Sequence, residues 1–170
     1  SPASRQVFDA LGMTKDCVTP MNLESCMALP PASYEKRNDP HRVYGLKPNT
    51  ESVQLYGMAL PHGANAAFTV PVEYLPLLKA AGMDEAIVHR RDGKMAKLTT
   101  NSLGFRGPEF YENADMKVLV IGDSNVQGHL VDDEFTPGAQ IQKRMEARTG
   151  KTTSVLNAGV IGYGWEEYER

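Results

Sequence analysis

Proline placement constrains this 170-residue chain more than any other feature of its sequence. Nine of the eleven prolines lie within residues 1–76. Because proline fixes φ and cannot donate a backbone hydrogen bond, this density prevents long helices and interrupts central strands. Residues 1–76 are therefore predicted to be irregular, with short helical turns at residues 4–11 and an edge strand within residues 53–60.

Two local patterns follow in the next part of the chain. Residues 72–81 carry apolar side chains at helical spacing before Gly82, which predicts a short helix stopped by that glycine. Asp92-Gly93 lies between two runs that favour strands, residues 87–91 and residues 94–99. This order predicts a β-hairpin. We expect residues 1–115 to form a proline-rich N-terminal accessory region with short strands.

The sequence pattern changes near residue 116. Residues 117–121 form an apolar, β-branched run, which predicts a strand buried on both faces of a parallel sheet. Thr136-Pro137 predicts the start of a helix, and Gly150 predicts its end. Residues 154–157 are predicted to form a second short strand. Strand, helix and strand in this order predict a right-handed βαβ unit. We expect residues 116–170 to be the N-terminal part of an α/β core.

Residues with catalytic potential follow the first predicted strand directly, as Gly122-Asp123-Ser124. Ligands of open α/β sheets bind at the carboxyl ends of the strands, so a serine there presents its hydroxyl at the binding edge. The glycine allows a tight turn. The N–H groups that follow, from Asn125 onward, are expected to face developing negative charge. The alternative is a plain turn serine after a strand.

Glycines follow the second predicted strand as Gly159, Gly162 and Gly164. A glycine N–H at this edge can donate to an oxyanion, and the alternative is an ordinary strand-to-helix turn. The glycine spacing is not the dinucleotide fingerprint, and no Gly-Lys-Ser/Thr follows Gly122, so we expect no nucleotide cofactor. No spacing of Cys and His indicates a metal site either.

Three stretches, taken together, resemble the SGNH hydrolases, also called GDSL esterases and lipases. They are residues 118–128 (VLVIGDSNVQG), residues 155–164 (VLNAGVIGYG) and residues 100–107 (TNSLGFRG). The resemblance implies a flavodoxin-like three-layer α/β/α core, of which residues 116–170 would be the opening part.

The same resemblance assigns roles to individual residues. Ser124 would be the nucleophile, the N–H groups of Ser124 and Gly162 would be two oxyanion donors, and Asp123 would brace the turn. The implied reaction is acyl transfer, in which Ser124 attacks an ester carbonyl and water or another hydroxyl resolves the acyl-enzyme.

The sequence departs from the family in its general base. The family takes a third oxyanion donor from a later Gly-x-Asn and its base from a terminal Asp-x-x-His, and neither follows Gly164 before Arg170. His129 lies five residues after Ser124, where it is a poor geometric candidate for a base, and the other three histidines precede the core. We expect the Asp-His pair beyond Arg170 or on a separate chain, or a fold kept without its chemistry.

Two further groups of residues have open interpretations. Asn101 and Arg106 are interpreted as a loop held to the sheet by an arginine that hydrogen-bonds to carbonyls. The aromatic residues Tyr163, Trp165 and Tyr168 either pack at a helix start or line an acyl or sugar pocket.

The predicted function of the intact protein is hydrolysis of a carboxylic ester, with an O-acetyl group on a carbohydrate as one substrate class and acyl transfer to a sugar hydroxyl as a variant. The 170 residues of this chain lack the Asp-His pair, so we do not expect them to be a competent esterase alone. The alternative is a non-catalytic structural or binding subunit with a protein partner. A net charge of −3 argues against nucleic acid as a partner, and the longest apolar run, Val118–Ile121, is too short to span a membrane. Cys17 and Cys26 are either a disulfide or two buried thiols. The resemblance favours an extracytoplasmic location.

Overall fold

The computed structural model of the chain describes residues 34–39, 42–59, 65–80 and 82–164. The helical turns predicted at residues 4–11, together with Cys17 and Cys26, lie outside the described residues. The described part has mixed α/β structure. No helix within it has the length and apolarity needed to cross a bilayer.

Strands and helices alternate irregularly along the described residues. The strands are β1 (Tyr34–Asp39), β2 (Arg42–Leu46), β3 (Glu51–Ala59), β4 (Asn65–Pro71), β5 (Lys97–Thr99), β6 (Met116–Gly122) and β7 (Thr153–Gly159). The α-helices are α1 (Leu75–Ala80), α2 (Ser124–Gln127) and α3 (Pro137–Thr149). Strands β1 and β2 form an antiparallel pair, β3 to β5 form a second antiparallel sheet, and β6 and β7 form a parallel pair.

Strand β3 is the centre of the three-stranded sheet, whose order is β4-β3-β5. The prediction of an edge strand is wrong, because Val53 of β3 pairs with Val70 of β4 on one side and with Lys97 of β5 on the other. Both faces of the strand are covered too. Val53 and Leu55 are fully buried on one face, and Gln54 is fully buried on the other.

An apolar cluster lies under this sheet, and α1 closes it. Its buried members are Val53, Leu55, Val70, Leu78 and Ile87. A 3₁₀ turn at Val72–Tyr74 leads into α1, which contributes Leu78, and Gly82 follows at φ +69°. The predicted short helix and its glycine stop are therefore confirmed.

The predicted hairpin around Asp92-Gly93 is confirmed at its turn. Arg90 N donates to Lys94 O at 2.7 Å, Ala96 N donates to Val88 O at 2.8 Å, and Gly93 has φ +79°. Only the end of the return arm forms a regular strand, β5, because that part pairs with β3.

Strands β6 and β7 run parallel and in register, from the pair Met116–Thr153 to the pair Gly122–Gly159. Helix α3 connects them, so the predicted order of strand, helix and strand is confirmed. Because the two strands end at paired glycines, the loops that follow them start from the same edge of the sheet.

Helix α3 begins and ends where the sequence predicts. Thr136 Oγ1 accepts a hydrogen bond from Ala139 N at 3.3 Å, and Gly150 ends the helix at φ +67°. The helix packs closely on β7, since a Cβ added to Gly138 would lie 3.2 Å from Asn157 Cβ.

Strand β6 is covered on one face only by the described residues. Leu119 is 62% exposed and Ile121 is 43% exposed, whereas Val118 and Val120 on the opposite face are half-buried. The expected burial on both faces is therefore wrong for the described part of the chain. The physical reason is that α3 packs against the face that holds Val155, the partner of Val118.

Arg106 links the two sheets through its backbone. It pairs with Thr100, directly after β5, and with Asn157 of β7. The three-stranded sheet and the parallel strands are thus joined through the segment between β5 and β6.

A buried glutamine makes a second link between the two sheets. Gln54, on β3, accepts a hydrogen bond from Leu130 N through Oε1 and donates from Nε2 to Val131 O at 2.6 Å. The loop after α2 is therefore fixed to β3 by both ends of one side-chain amide.

Candidate active site

The turn between β6 and α2 places Ser124 at the start of that helix. Gly122 turns the chain at φ +154°, and an added Cβ would lie 2.5 Å from Cγ2 of Val126, so the predicted need for glycine is confirmed. The Asp123 carboxylate caps α2, since Oδ1 accepts from Asn125 N at 2.9 Å. The expectation that the Asn125 N–H faces negative charge developing on a substrate is therefore wrong, because this N–H already donates to the Asp123 carboxylate.

The turn after β7 packs directly against α2. A Cβ added to Gly159 would lie 2.2 Å from Gln127 N and 2.6 Å from the carbonyl carbon of Val126, so glycine is required for this close approach. Val160 N donates to Gly122 O at 3.0 Å, which extends the pairing of the two strands by one step. Ile161 N donates to Gln127 Oε1 at 2.8 Å.

Gly162 follows in this turn at φ +79° and is exposed to solvent. Tyr163 N donates to Val160 O at 3.2 Å, which closes the turn around Gly162. Ser124 and Gly162 thus lie on adjacent loops at the carboxyl edge of neighbouring parallel strands, the placement predicted from the sequence.

Two backbone N–H groups in these loops make no hydrogen bond to the described residues. Among the described residues, the N–H groups of Ser124 and Gly162 have no hydrogen-bond acceptor. The hydroxyl of half-buried Ser124 has no hydrogen-bond partner within the same residues. These groups are therefore able to interact with a ligand without first breaking a bond to the described protein.

A fully buried arginine supports the far end of α2. The Arg106 guanidinium donates from Nη1 to Gln127 O at 3.0 Å and to Gly128 O at 2.5 Å. Its Nη2 donates to Lys97 O at 3.0 Å and to Val131 O at 2.6 Å. The interpretation of Arg106 as a residue that holds a loop to the sheet through carbonyls is confirmed.

The remaining N–H of Arg106 makes an ion pair. Its Nε donates to Asp133 Oδ1 at 2.8 Å, so every N–H of the guanidinium is paired. The second carboxylate oxygen of Asp133 accepts from Thr99 N at 3.0 Å and from Thr99 Oγ1 at 2.6 Å. The end of β5 and the segment after α2 are thereby fixed to one another.

Asn101 folds the loop that carries Arg106. Its Oδ1 accepts from Leu103 N and Phe105 N, both at 3.0 Å, and its Nδ2 donates to Pro108 O at 3.1 Å. Asn101 is itself buried, so its role in the described structure is to shape this loop rather than to contact a ligand.

Neither described histidine hydrogen-bonds to Ser124. His89 Nδ1 lies 2.8 Å from Ile87 O. Both ring nitrogens of His129 are buried and have no hydrogen-bond partner among the described residues. Burial lowers the pKa of His129, and the positive charge of Arg106 lowers it further, so the ring is held neutral.

Among the three aromatic residues after β7, only Tyr163 lies within the described part of the chain. Its side chain is 6% exposed, which favours the packing interpretation over a pocket wall. Trp165 and Tyr168 lie outside the described residues.

Two buried glutamines that link loops were missed by reasoning from the sequence, Gln127 and Gln54. Both are fully buried, and each accepts a hydrogen bond from a backbone N–H of a neighbouring loop. Gln54 alternates with Val53 and Leu55, so its pattern is that of a solvent-facing residue. Gln127 lies directly before a helix-ending glycine, and no pattern distinguishes it from an exposed polar residue there.

No group of three or more His, Cys, Asp or Glu side chains within the described ranges could hold a metal ion. A scan against protein-family models found no match to this chain, and neither did searches of curated proteins and of solved structures.

Proposed function

We propose that this protein is an SGNH-type serine hydrolase that cleaves carboxylic esters through an acyl-enzyme on Ser124, with O-acetylated carbohydrates as one substrate class. The observation that supports this proposal best is a hydroxyl without a partner among the described residues, on the first residue of a helix that follows a parallel strand. The unoccupied N–H groups of Ser124 and Gly162 lie at the same sheet edge.

The proposed reaction has two steps. Ser124 Oγ attacks the ester carbonyl carbon and loses its proton to a base, while the carbonyl oxygen becomes an oxyanion that accepts from the N–H groups of Ser124 and Gly162. The carbon–oxygen bond to the alcohol then breaks, and the alcohol leaves with a proton. Water adds to the acyl-Ser124 ester, which releases the carboxylic acid and restores the hydroxyl.

The base is outside the described residues in this proposal. A neutral serine hydroxyl is a weak nucleophile without a positioned base. His129 is unsuited to the role because its ring nitrogens are buried and make no bond to Ser124. Asp-x-x-His, the source of the base in the family, occurs nowhere in the sequence.

The proposed fold around this site is the flavodoxin-like three-layer core of the same family. The in-register parallel pair of β6 and β7, with α3 against one face, agrees with one half of such a core. The exposed Leu119 and Ile121 on the opposite face agree with a surface that a second helical layer covers.

Turnover of an activated ester tests the proposed function. The full-length protein, with the base that the proposal requires, should hydrolyse p-nitrophenyl acetate, and Ser124→Ala should lower the rate to the uncatalysed background. Ser102→Ala is a matched control, because Ser102 is an exposed serine on a different loop and hydrogen-bonds to Glu109. Equal rates for the wild type and Ser124→Ala would overturn the proposal.

A second candidate function is a non-catalytic subunit of a larger assembly. It is favoured by the exposed apolar side chains of Leu119 and Ile121, which lie next to each other on one face of β6. Native mass spectrometry tests it: this function predicts a stable complex with another chain, and a monomeric protein with Ser124-dependent turnover contradicts it.

A further inference from the structure

The side chain of Gln127 joins the nucleophile helix to the turn that carries Gly162. Gln127 is the last residue of α2 and is fully buried. Its Oε1 accepts from Ile161 N at 2.8 Å, one residue before Gly162. Its backbone N donates to Asp123 O at 2.9 Å, so the same residue is bonded to the turn that precedes Ser124.

The backbone of Gln127 is also fixed by contacts with neighbouring elements. Its carbonyl oxygen accepts from Arg106 Nη1 at 3.0 Å, and its N and Cα lie against Gly159, where no Cβ fits. The carboxamide therefore extends from a fixed point to the Ile161 amide, and a shift of α2 would move both loops together.

Two successive peptide groups before Gly162 are thereby anchored to the Ser124 side of the site. Val160 N donates to Gly122 O at 3.0 Å, and Ile161 N donates to Gln127 Oε1. The first bond is between backbone groups, so a substitution of Gln127 leaves both of its atoms in place. The second depends entirely on the side chain at position 127.

We propose that Gln127 is a positioning residue that sets the Gly162 N–H against Ser124, an inference that rests on the proposed function. An oxyanion donor acts only when it lies within hydrogen-bond distance of the developing charge, and displacement of one donor costs a large part of the rate. Loss of the Gln127 acceptor removes the side-chain bond that ties Ile161 N to α2.

The test compares three substitutions, with p-nitrophenyl acetate as the substrate and rates expressed per folded molecule. Gln127→Met keeps the length of the side chain and removes the acceptor, so kcat should fall by about 10- to 100-fold while KM changes less than about twofold. Gln127→Glu keeps an oxygen that can accept from Ile161 N, so it should retain more of kcat than Gln127→Met does.

Gln54→Met is the matched control. Gln54 is also fully buried, but its side chain hydrogen-bonds to Leu130 and Val131 in the loop after α2 rather than to the turns of Ser124 or Gly162. This variant should lose stability and keep kcat per folded molecule. If Gln127→Met does not fold, Gln127→Asn, whose carboxamide is one methylene shorter, should show the same fall in kcat.

Three results would overturn the inference in distinguishable ways. A kcat of Gln127→Met within about twofold of the wild type would exclude a positioning role while leaving the proposed function intact. An equal loss of kcat in Gln54→Met would attribute the effect to general loosening of the structure. A wild-type rate equal to that of Ser124→Ala would remove the proposed function, and this inference with it.

Discussion

Replacement of Arg106 by methionine should be among the most destabilising single changes in the described structure. The side chain is fully buried and uses every N–H, four bonds going to backbone carbonyls and one to Asp133. Methionine fills a similar volume but pairs with none of these acceptors. Asp133 is 27% exposed and keeps its bonds to Thr99, so the main cost comes from the buried carbonyl oxygens that lose their donor. A buried polar group without a partner costs about 1–3 kcal/mol, and we expect about 3–5 kcal/mol in total.

This magnitude converts into a large shift of the melting temperature. For a chain of this size, 1 kcal/mol corresponds to about 2–4 °C, so Arg106→Met should lower Tm by roughly 6–20 °C. Arg106→Lys keeps the charge but offers one compact ammonium group in place of a planar fork. It should recover only part of the loss, since a single ammonium cannot reach acceptors on opposite sides of the guanidinium.

Arg90 provides the matched control for this prediction. It pairs with Asp132 at 2.5 Å and Glu134 at 2.6 Å, but its side chain is 29% exposed. Partly exposed ion pairs contribute about 0–1 kcal/mol, so Arg90→Met should have a small effect in the same urea or thermal unfolding assay. Equal destabilisation by Arg106→Met and Arg90→Met would refute the reasoning that buried carbonyl contacts dominate at Arg106.

Three further predictions concern stability, and each is checked by equilibrium unfolding. Gly159→Ala should destabilise the protein by about 1–3 kcal/mol, because the added Cβ would collide with the rigid backbone of α2. A loss of stability no larger than that caused by a substitution at an exposed position would contradict this expectation. Thr136→Ala should cost about 1 kcal/mol through loss of the α3 cap, and Thr136→Ser should restore most of it. Burial lowers the pKa of His129 in the folded protein. On acidification the His129 ring is therefore protonated in the unfolded chain before it is protonated in the folded protein, so the stability of the wild type should fall as the pH drops through about 6.5. His129→Gln should flatten that pH dependence, and an unchanged slope would contradict the stated cause.

Local signals in the sequence predicted local structure well. Thr136 and Gly150 mark the ends of α3 because capping depends on neighbouring residues alone. The requirement for glycine at position 122 was also predicted from the sequence, since the tight turn after β6 needs a positive φ. The guanidinium chemistry of Arg106 predicted that it binds backbone carbonyls, but it did not predict which carbonyls these are.

Long-range contacts explain the predictions that were wrong. The alternation around residues 53–60 does not reveal that β5, far along the chain, pairs with the second side of β3. Leu119 and Ile121 look like core residues because composition cannot show which face α3 covers. Gln54 and Gln127 resemble surface residues because their backbone partners are 76 and 34 positions away.

Covalent trapping of the nucleophile tests the central proposal most directly. The full-length protein is treated with an activated organophosphate such as diethyl p-nitrophenyl phosphate, and the modified peptide is identified by mass spectrometry. Ser124 should carry one diethylphosphoryl group in the wild type and in Ser102→Ala, and Ser124→Ala should stay unmodified. A protein that stays unmodified, or one that is labelled equally well after Ser124→Ala, would contradict the assignment of Ser124 as the nucleophile.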